Sequence, residues 1–171
     1  HRYTVLEGVT ADGKIVIDLE KKQAVALAKK LKQAKYESIA IGLIHSYANN
    51  KHEKILRDIF KTEIPNIPIS LSSEVSPQMR EYERFNTVTA NAYIKPMIKN
   101  YLIKLKKRLR SNNVLCPIFL IHSGGGIISL KKAAEFPVRL VESGPAGGAV
   151  FASVIARKYN LNNVLSFDMG G

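Results

Sequence analysis

Two glycine-rich turns bracket a small-residue helix at the carboxyl end of this chain, and they constrain its architecture more than any other feature. Glu142-Ser143-Gly144-Pro145-Ala146-Gly147-Gly148 leads into a helix-compatible run, and Phe167-Asp168-Met169-Gly170-Gly171 closes an apolar stretch. Glycine turn, helix, buried strand and an acidic residue on a second glycine turn form a layout suited to phosphate. Bare backbone N–H groups at a helix N-terminus attract an anion, and a nearby carboxylate can hold the divalent ion that travels with a nucleotide. Ser143-Gly144 before Pro145 fits an N-terminal cap with Pro at the first helical position. The alternative is a capped helix whose Gly147 and Gly148 only allow close packing on a sheet. Asp168, at the end of an apolar strand, is costly unless paired. Hydrated Mg2+, a helix N-terminus and an arginine are the candidate partners. Glu142 holds the equivalent place on the preceding strand and is a candidate for positioning water or metal. A glycine turn closing a buried strand is expected to lead into further protein, so the chain reads as a fragment.

Its 171 residues are enough for one domain with a core, or for one lobe of something larger. No apolar run approaches the roughly 20 residues of a membrane span, so no membrane association is expected. The lone Cys116 reads as a buried structural thiol in a reducing compartment, the cytoplasm. The net charge of +12 is the one extreme value. Most of it is lysine spread over helical segments, densest from Lys99 to Arg110, without the aromatic interleaving of a stacking platform. Solvated helix faces explain it more simply than nucleic-acid binding does. A non-enzymatic basic module for nucleic acid or an acidic partner stays as the alternative.

Read in order, residues 3–9 and 14–18 form a β-hairpin around Asp12-Gly13. Val25, Leu27, Ala28 and Leu31 make a helical stripe. Residues 38–44 are a buried strand of the parallel type, ending at the polar loop His45-Ser46-Tyr47-Ala48-Asn49-Asn50, where ligands often bind in α/β proteins. A helix over 51–61 and a brief strand at 69–71 follow. Residues 78–112 are helix-compatible, with a kink or two abutting helices expected at Pro96. Strands are expected at 117–121, 138–141 and 164–167, with helices at 129–135 and 149–159. This alternation predicts an α/β fold with a largely parallel sheet and flanking helices. The approximate parts are 1–75, an α/β segment with the hairpin; 76–112, a long helical segment; and 113–171, the glycine-turn segment.

Three glycine turns, Gly124–Gly126, Gly144–Gly148 and Gly170-Gly171, each follow a predicted strand, and in a parallel sheet such turns gather on one edge. None is a Walker A loop and none completes a dinucleotide fingerprint. Any one of them can be a simple tight turn. Ser123 and Gly125 are candidates for substrate contact, although Ser123 lacks a base nearby in sequence. Arg80 and Arg84 either pair with Glu81 and Glu83 along a helix or meet an anionic substrate. His45, His52 and Glu53 are conceivable metal ligands, but their spacing matches no standard zinc site.

These residues resemble the hydantoinase A/5-oxoprolinase family. The resemblance rests on His45-Ser46-Tyr47-Ala48-Asn49 with His52-Glu53, on Ser72-Ser73-Glu74-Val75 with Arg80-Glu81-Tyr82-Glu83-Arg84, and on Asn91-Ala92-Tyr93 with Pro96. The two carboxyl-terminal glycine motifs complete the order, and the likeness covers essentially the whole chain. It departs from the family at Gly124, where Asn is usual, and at Asn50, where Pro is frequent. The resemblance implies part of an actin-like (ribonuclease H-like) ATPase fold, with ATP and Mg2+ as cofactors of the parent protein. It implies that Asp168-Met169-Gly170-Gly171 begins the second of two phosphate-binding turns, and that Glu142 is the acid that orients water or Mg2+. The activity implied is ATP-dependent opening of a cyclic amide by carbonyl phosphorylation and hydrolysis, with the isolated fragment inactive. An acetone carboxylase-type subunit of the same group is the alternative. A second subunit or domain of the hydantoinase B type is the implied partner.

Overall fold

The computed structural model describes residues 1–169. They form two compact units, His1–Pro96 and Met97–Gly171. In the first, β1 (Gly8–Val9) and β2 (Ile15–Ile17) pair antiparallel. The turn between them needs Gly13, which sits at φ 85. The Thr10 hydroxyl donates to Asp12, and Lys14 Nζ lies 3.1 Å from the same carboxylate. The hydroxyl first, then the lysine, hold the Asp12 carboxyl below its ordinary 3.8.

Helix α1 (Lys21–Gln33) starts where the Glu20 side chain accepts from Lys22 N–H. It buries Ala24, Ala28 and Leu31, one helical stripe. Helix α2 (Lys51–Glu63) buries Leu56 and Phe60. These side chains meet Leu19, Ile41, Ile64 and Leu71 in the core of the unit. Strand β3 (Ile39–Ile41) pairs parallel with β4 (Ile69–Leu71), Ile39 opposite Ile69 and Ile41 opposite Leu71. Helix α2 is the crossover a parallel pair requires. The short α3 (Ser72–Val75) follows β4 directly. Helix α4 (Glu81–Ser111) runs through Pro96 as one element. Proline removes one backbone donor there, and the expected division into two helices is not seen.

In the second unit, β5 (Phe119–Ile121) and β6 (Ile127–Ser129) form an antiparallel pair. Helix α5 (Leu130–Glu135) begins with the Ser129 hydroxyl accepting from Lys132 N–H. A 3-10 turn, Pro137–Leu140, leads to α6 (Ser143–Lys158). Leu102, Ile128 and Ala133 are the buried centre, with Ile98, Leu105, Leu120, Leu130 and Leu140 packed around them.

The α/β class read from the sequence stands, and several elements differ in detail. Among the described residues, parallel pairing is confined to β3–β4. The strand expected at 138–141 is the 3-10 turn: Pro137 starts a helical turn, and among the described residues no strand pairs with this stretch. The stretch 164–167 carries no strand, and Leu165 and Phe167 are 92% and 82% exposed. Helix α6 starts at Ser143, six residues before the expected Ala149. Cys116 is exposed, not buried.

Two outcomes test this description. A Cβ at Gly42 would lie 2.6 Å from Phe85 Cδ1, so Gly42→Ala is expected to lower unfolding free energy by about 1–3 kcal/mol in urea titration. Because the folded pKa of Asp12 is depressed, its contribution is complete above pH 3.8 and lost as pH falls through the lower folded value. NMR titration should place the Asp12 midpoint below 3.8, and Thr10→Ala should return it toward 3.8.

Candidate functional site

In the first unit, the loops at the carboxyl edge of β3 and β4 are built on a buried polar network. Glu53, on α2, is 0% exposed. Its Oε1 accepts from Leu43 N–H at 3.0 Å and the Ser72 hydroxyl at 2.6 Å. Its Oε2 accepts from Ser73 N–H at 3.0 Å and the Ser73 hydroxyl at 2.6 Å. Arg84, on α4, is also 0% exposed. Its Nε donates to Ser72 Oγ at 3.1 Å, Nη1 to Gln78 O at 2.8 Å, and Nη2 to Leu43 O at 2.7 Å. Ser72 therefore joins a buried anion to a buried cation, and Ser46 Oγ reaches Ser72 Oγ at 3.1 Å. Satisfying both charges this fully is what makes their burial tolerable.

The histidines of this region go to different surroundings. His52 Nδ1 lies 2.8 Å from Glu7 Oε2, and both side chains are buried. The carboxylate only accepts, so Nδ1 carries the proton. His45 stands at φ 55 in the β3–α2 loop, with Nδ1 3.8 Å from Glu81 Oε1. Among the described residues no group of three His, Cys, Asp or Glu side chains is placed to hold a metal ion. The candidate metal set His45, His52 and Glu53 is therefore not assembled. Arg80 pairs with Glu83 at 3.2 Å on the surface, and the Glu83 backbone amide first, then the Arg80 guanidinium, hold the Glu83 carboxyl below its ordinary 4.5. The structure places Arg84 inside the network and not on a face open to substrate.

The second unit gathers the glycine motifs. Gly124–Gly126 closes the β5–β6 hairpin, so it is not a turn on a parallel edge. The turn wraps the His122 ring. Gly124 N–H donates to His122 Nδ1 at 3.0 Å, and a Cβ at Gly126 would lie 2.7 Å from His122 Nε2. Ser123 is exposed, and its N–H donates to Arg139 O at 2.8 Å. A Cβ at Gly125, which has φ 78, would touch Val150 Cγ2 at 3.4 Å, and one at Gly147 would touch Ile121 Cδ1 at 3.4 Å. These glycines bring α6 against the hairpin.

Helix α6 is where the anion site was expected. Ser143 and Gly144 lie inside its first turn; Glu142 is its N-cap, at φ 62, and makes no side-chain cap bond. The first-turn N–H groups consequently lack a side-chain acceptor from the cap. A Cβ at Gly144 would meet nothing within 4 Å, and one at Gly148 would lie 4.0 Å from Asp168 Oδ2. An open helix N-terminus and a carboxylate beside the same helix fit a phosphate with its cation. Gly170 and Gly171 lie outside the described residues. Sequence reasoning missed the network Glu53–Ser72–Ser73–Arg84 and the role of His122. The serine pair before the Arg80–Arg84 run is the signal for the first; the glycines after His122 are the signal for the second.

This arrangement defines an α/β protein with a buried ionic scaffold in one unit and a helix without a side-chain cap in the other. The chain belongs to the hydantoinase/oxoprolinase family: the Hydantoinase/oxoprolinase profile matches residues 84–171, and the Hydantoinase/oxoprolinase N-terminal region profile matches residues 1–64. The 5-oxoprolinase of Saccharomyces cerevisiae is 35% identical over 98% of this chain and 13% of its own. The solved ATP-dependent caprolactamase of Pseudomonas jessenii superposes with a TM-score of 0.88 at 25% identity, over 98% of this chain and 24% of that one. Its alpha subunit aligns at 26% identity. The nucleotide-free acetone carboxylase structure superposes with a TM-score of 0.79 at 30% identity, over 91% of this chain and 22% of that one. The chain thus spans about a quarter or less of the relatives it matches.

Replacing Glu53 by Ala leaves the Arg84 charge buried without its bridged partner. The expected loss is about 3–5 kcal/mol in chemical denaturation of this chain, and a loss below about 1 kcal/mol would contradict the assigned weight of the network.

Proposed function

We propose that this chain is part of an ATP-dependent enzyme that opens a cyclic amide, with α6 and Asp168 as its contribution to Mg-nucleotide binding. The observation that carries the reading is the uncapped first turn of α6, with the Asp168 carboxylate near Gly148 in the next turn. Backbone N–H groups of Ser143 and Gly144 would receive phosphate oxygens, and Gly147 and Gly148 let α6 lie close to its neighbours. Asp168 would hold Mg2+ through water, and Gly170-Gly171 would continue the phosphate-binding turn. Glu142 is kept in a left-handed conformation that costs a residue with a Cβ roughly 1–2 kcal/mol. Strain of this kind accumulates at working sites, which supports a role for Glu142 in orienting water or metal.

Bound ATP would supply the energy that a resonance-stabilised amide lacks, by phosphorylating its carbonyl oxygen. The chain's own groups bind and orient; positioning and electrostatics carry most of phosphoryl-transfer catalysis. The substrate is a lactam of the hydantoin or 5-oxoproline type, as the names of the 5-oxoprolinase and caprolactamase relatives suggest. Ser123 and Gly125 in the second unit, or Arg80 in the first, are the exposed or half-exposed candidates for contacting it. The acetone carboxylase likeness supports a second reading, a subunit of an ATP-dependent carboxylase. Relatives named as subunits support a further subunit or domain of the hydantoinase B type as partner. A single cysteine, exposed, suits a cytoplasmic setting.

The full-length protein should hydrolyse ATP when given a lactam, and Asp168→Asn should abolish that turnover. Undiminished turnover in the variant would remove Asp168 from the mechanism. ATP hydrolysis coupled to a ketone and bicarbonate, with none on lactams, would favour the carboxylase reading.

A further inference from the structure

The loop between β3 and α2 holds a histidine whose condition its structural surroundings leave unexplained. His45 sits at φ 55, a conformation that residues with a Cβ seldom keep without a reason. Its Nδ1 is closed to solvent and has no hydrogen-bond partner. Glu81 Oε1 stands 3.8 Å away, too far for a hydrogen bond, and the two side chains remain 30% and 38% exposed. A buried polar atom without a partner is uncommon and calls for a physical reason, a binding or catalytic role among them. The base beneath is rigid: Arg84 Nη2 donates to Leu43 O at 2.7 Å, its guanidinium lies 5.5 Å from the Tyr47 ring centroid, and Nη2 is 3.8 Å from Glu81 Oε1. Ala48 N–H donates to His45 O at 2.9 Å and fixes the loop's tight turn.

We propose that His45 and Glu81 form a ligand-binding dyad at the carboxyl edge of the β3–β4 pair, which takes a neutral small molecule by an N–H or O–H donor. A carboxylate only accepts, so Glu81 fixes the ring proton on Nδ1 and leaves Nε2 as the acceptor. When a ligand donates to Nε2, the loose Nδ1–H···Glu81 contact tightens, as hydrogen bonds at the sites of free enzymes commonly do on binding. An anionic group is disfavoured because Glu81 is negative. Arg84, 3.8 Å from Glu81, is also joined through Ser72 to the buried Glu53 carboxylate, so one guanidinium is shared by two carboxylates and the surroundings stay negative. The choice of a lactam N–H as the donor rests on the function proposed above; the dyad itself rests on the geometry of the first unit.

The test is acylation of the full-length protein by diethyl pyrocarbonate without ATP, mapped by mass spectrometry on the four histidines of this chain. Caprolactam and hydantoin are the probes, and 5-oxoproline, a carboxylate at neutral pH, is the anionic comparison expected to protect less. At ten times the dissociation constant, a binding lactam should slow acylation of His45 about tenfold and leave His122 unchanged. Glu81→Gln should weaken that protection roughly tenfold, and Glu81→Asp should restore part of it, whereas a purely structural Glu81 would leave the dissociation constant alone. Protection of His45 supports the dyad even if ATP-dependent turnover is absent, in which case only the proposed function fails. ATP-dependent lactam turnover with no protection of His45 overturns the dyad and spares that function. Neither turnover nor protection removes both.

Discussion

A carboxylate and a guanidinium, both withdrawn from water and joined through one serine hydroxyl, hold the first unit together. Leaving either ion unpaired at such depth would cost several kcal/mol. The chain avoids this by spending backbone groups and hydroxyls from elements far apart in sequence. Leu43 gives its N–H to Glu53 and its carbonyl to Arg84. Ser72 and Ser73, at the start of α3, meet the same carboxylate, and Gln78 and Met79 meet the same guanidinium. The end of β3, the end of β4 and the start of α4 are thereby fixed to α2. An apolar core alone would pack these elements without dictating where the loops between them point; directional hydrogen bonds do dictate it. The edge that carries His45, Ser46 and Tyr47 inherits that rigidity.

The second unit solves a different problem with different residues. Its close contacts are made by the absence of side chains. Gly124 and Gly126 leave room for the His122 ring, and Gly125, at φ 78, takes a backbone conformation that a side chain would strain. The helix these glycines admit begins with an uncapped turn, and Asp168 lies beside it. No ion pair is printed into this helix start by its own sequence, because the first turn of α6 carries no acidic residue. Positive partial charge at the N-terminus is left for something else to neutralise. A phosphate group would do so, and this is the basis of the function proposed for α6.

Much of the architecture was legible because local chemistry set it. Asp12-Gly13 specified the hairpin, and the apolar spacing that includes Ala28 and Leu31 specified α1. What escaped was set by partners distant in sequence. In Arg80-Glu81-Tyr82-Glu83-Arg84 the two arginines look alike, yet Arg80 pairs on the surface and Arg84 is engulfed. Only the loops folded over α4 decide between them. The apolar run 138–141 has strand composition, but among the described residues no strand pairs with it and Pro137 turns it instead. The glycines at 144–148 read as a turn because glycine is a poor helix former; here packing against β5 outweighs that propensity. Family resemblance, carried by motifs spread over the whole chain, was the most secure inference of all.

The account's central functional claim is that nucleotide phosphate lies on the first turn of α6. Amide hydrogen exchange of the full-length protein, with and without a non-hydrolysable Mg-ATP analogue, tests it directly. The account predicts slower exchange concentrated at 143–150 and around Asp168 when the analogue is bound. Tight analogue binding with exchange at those amides unchanged would contradict it.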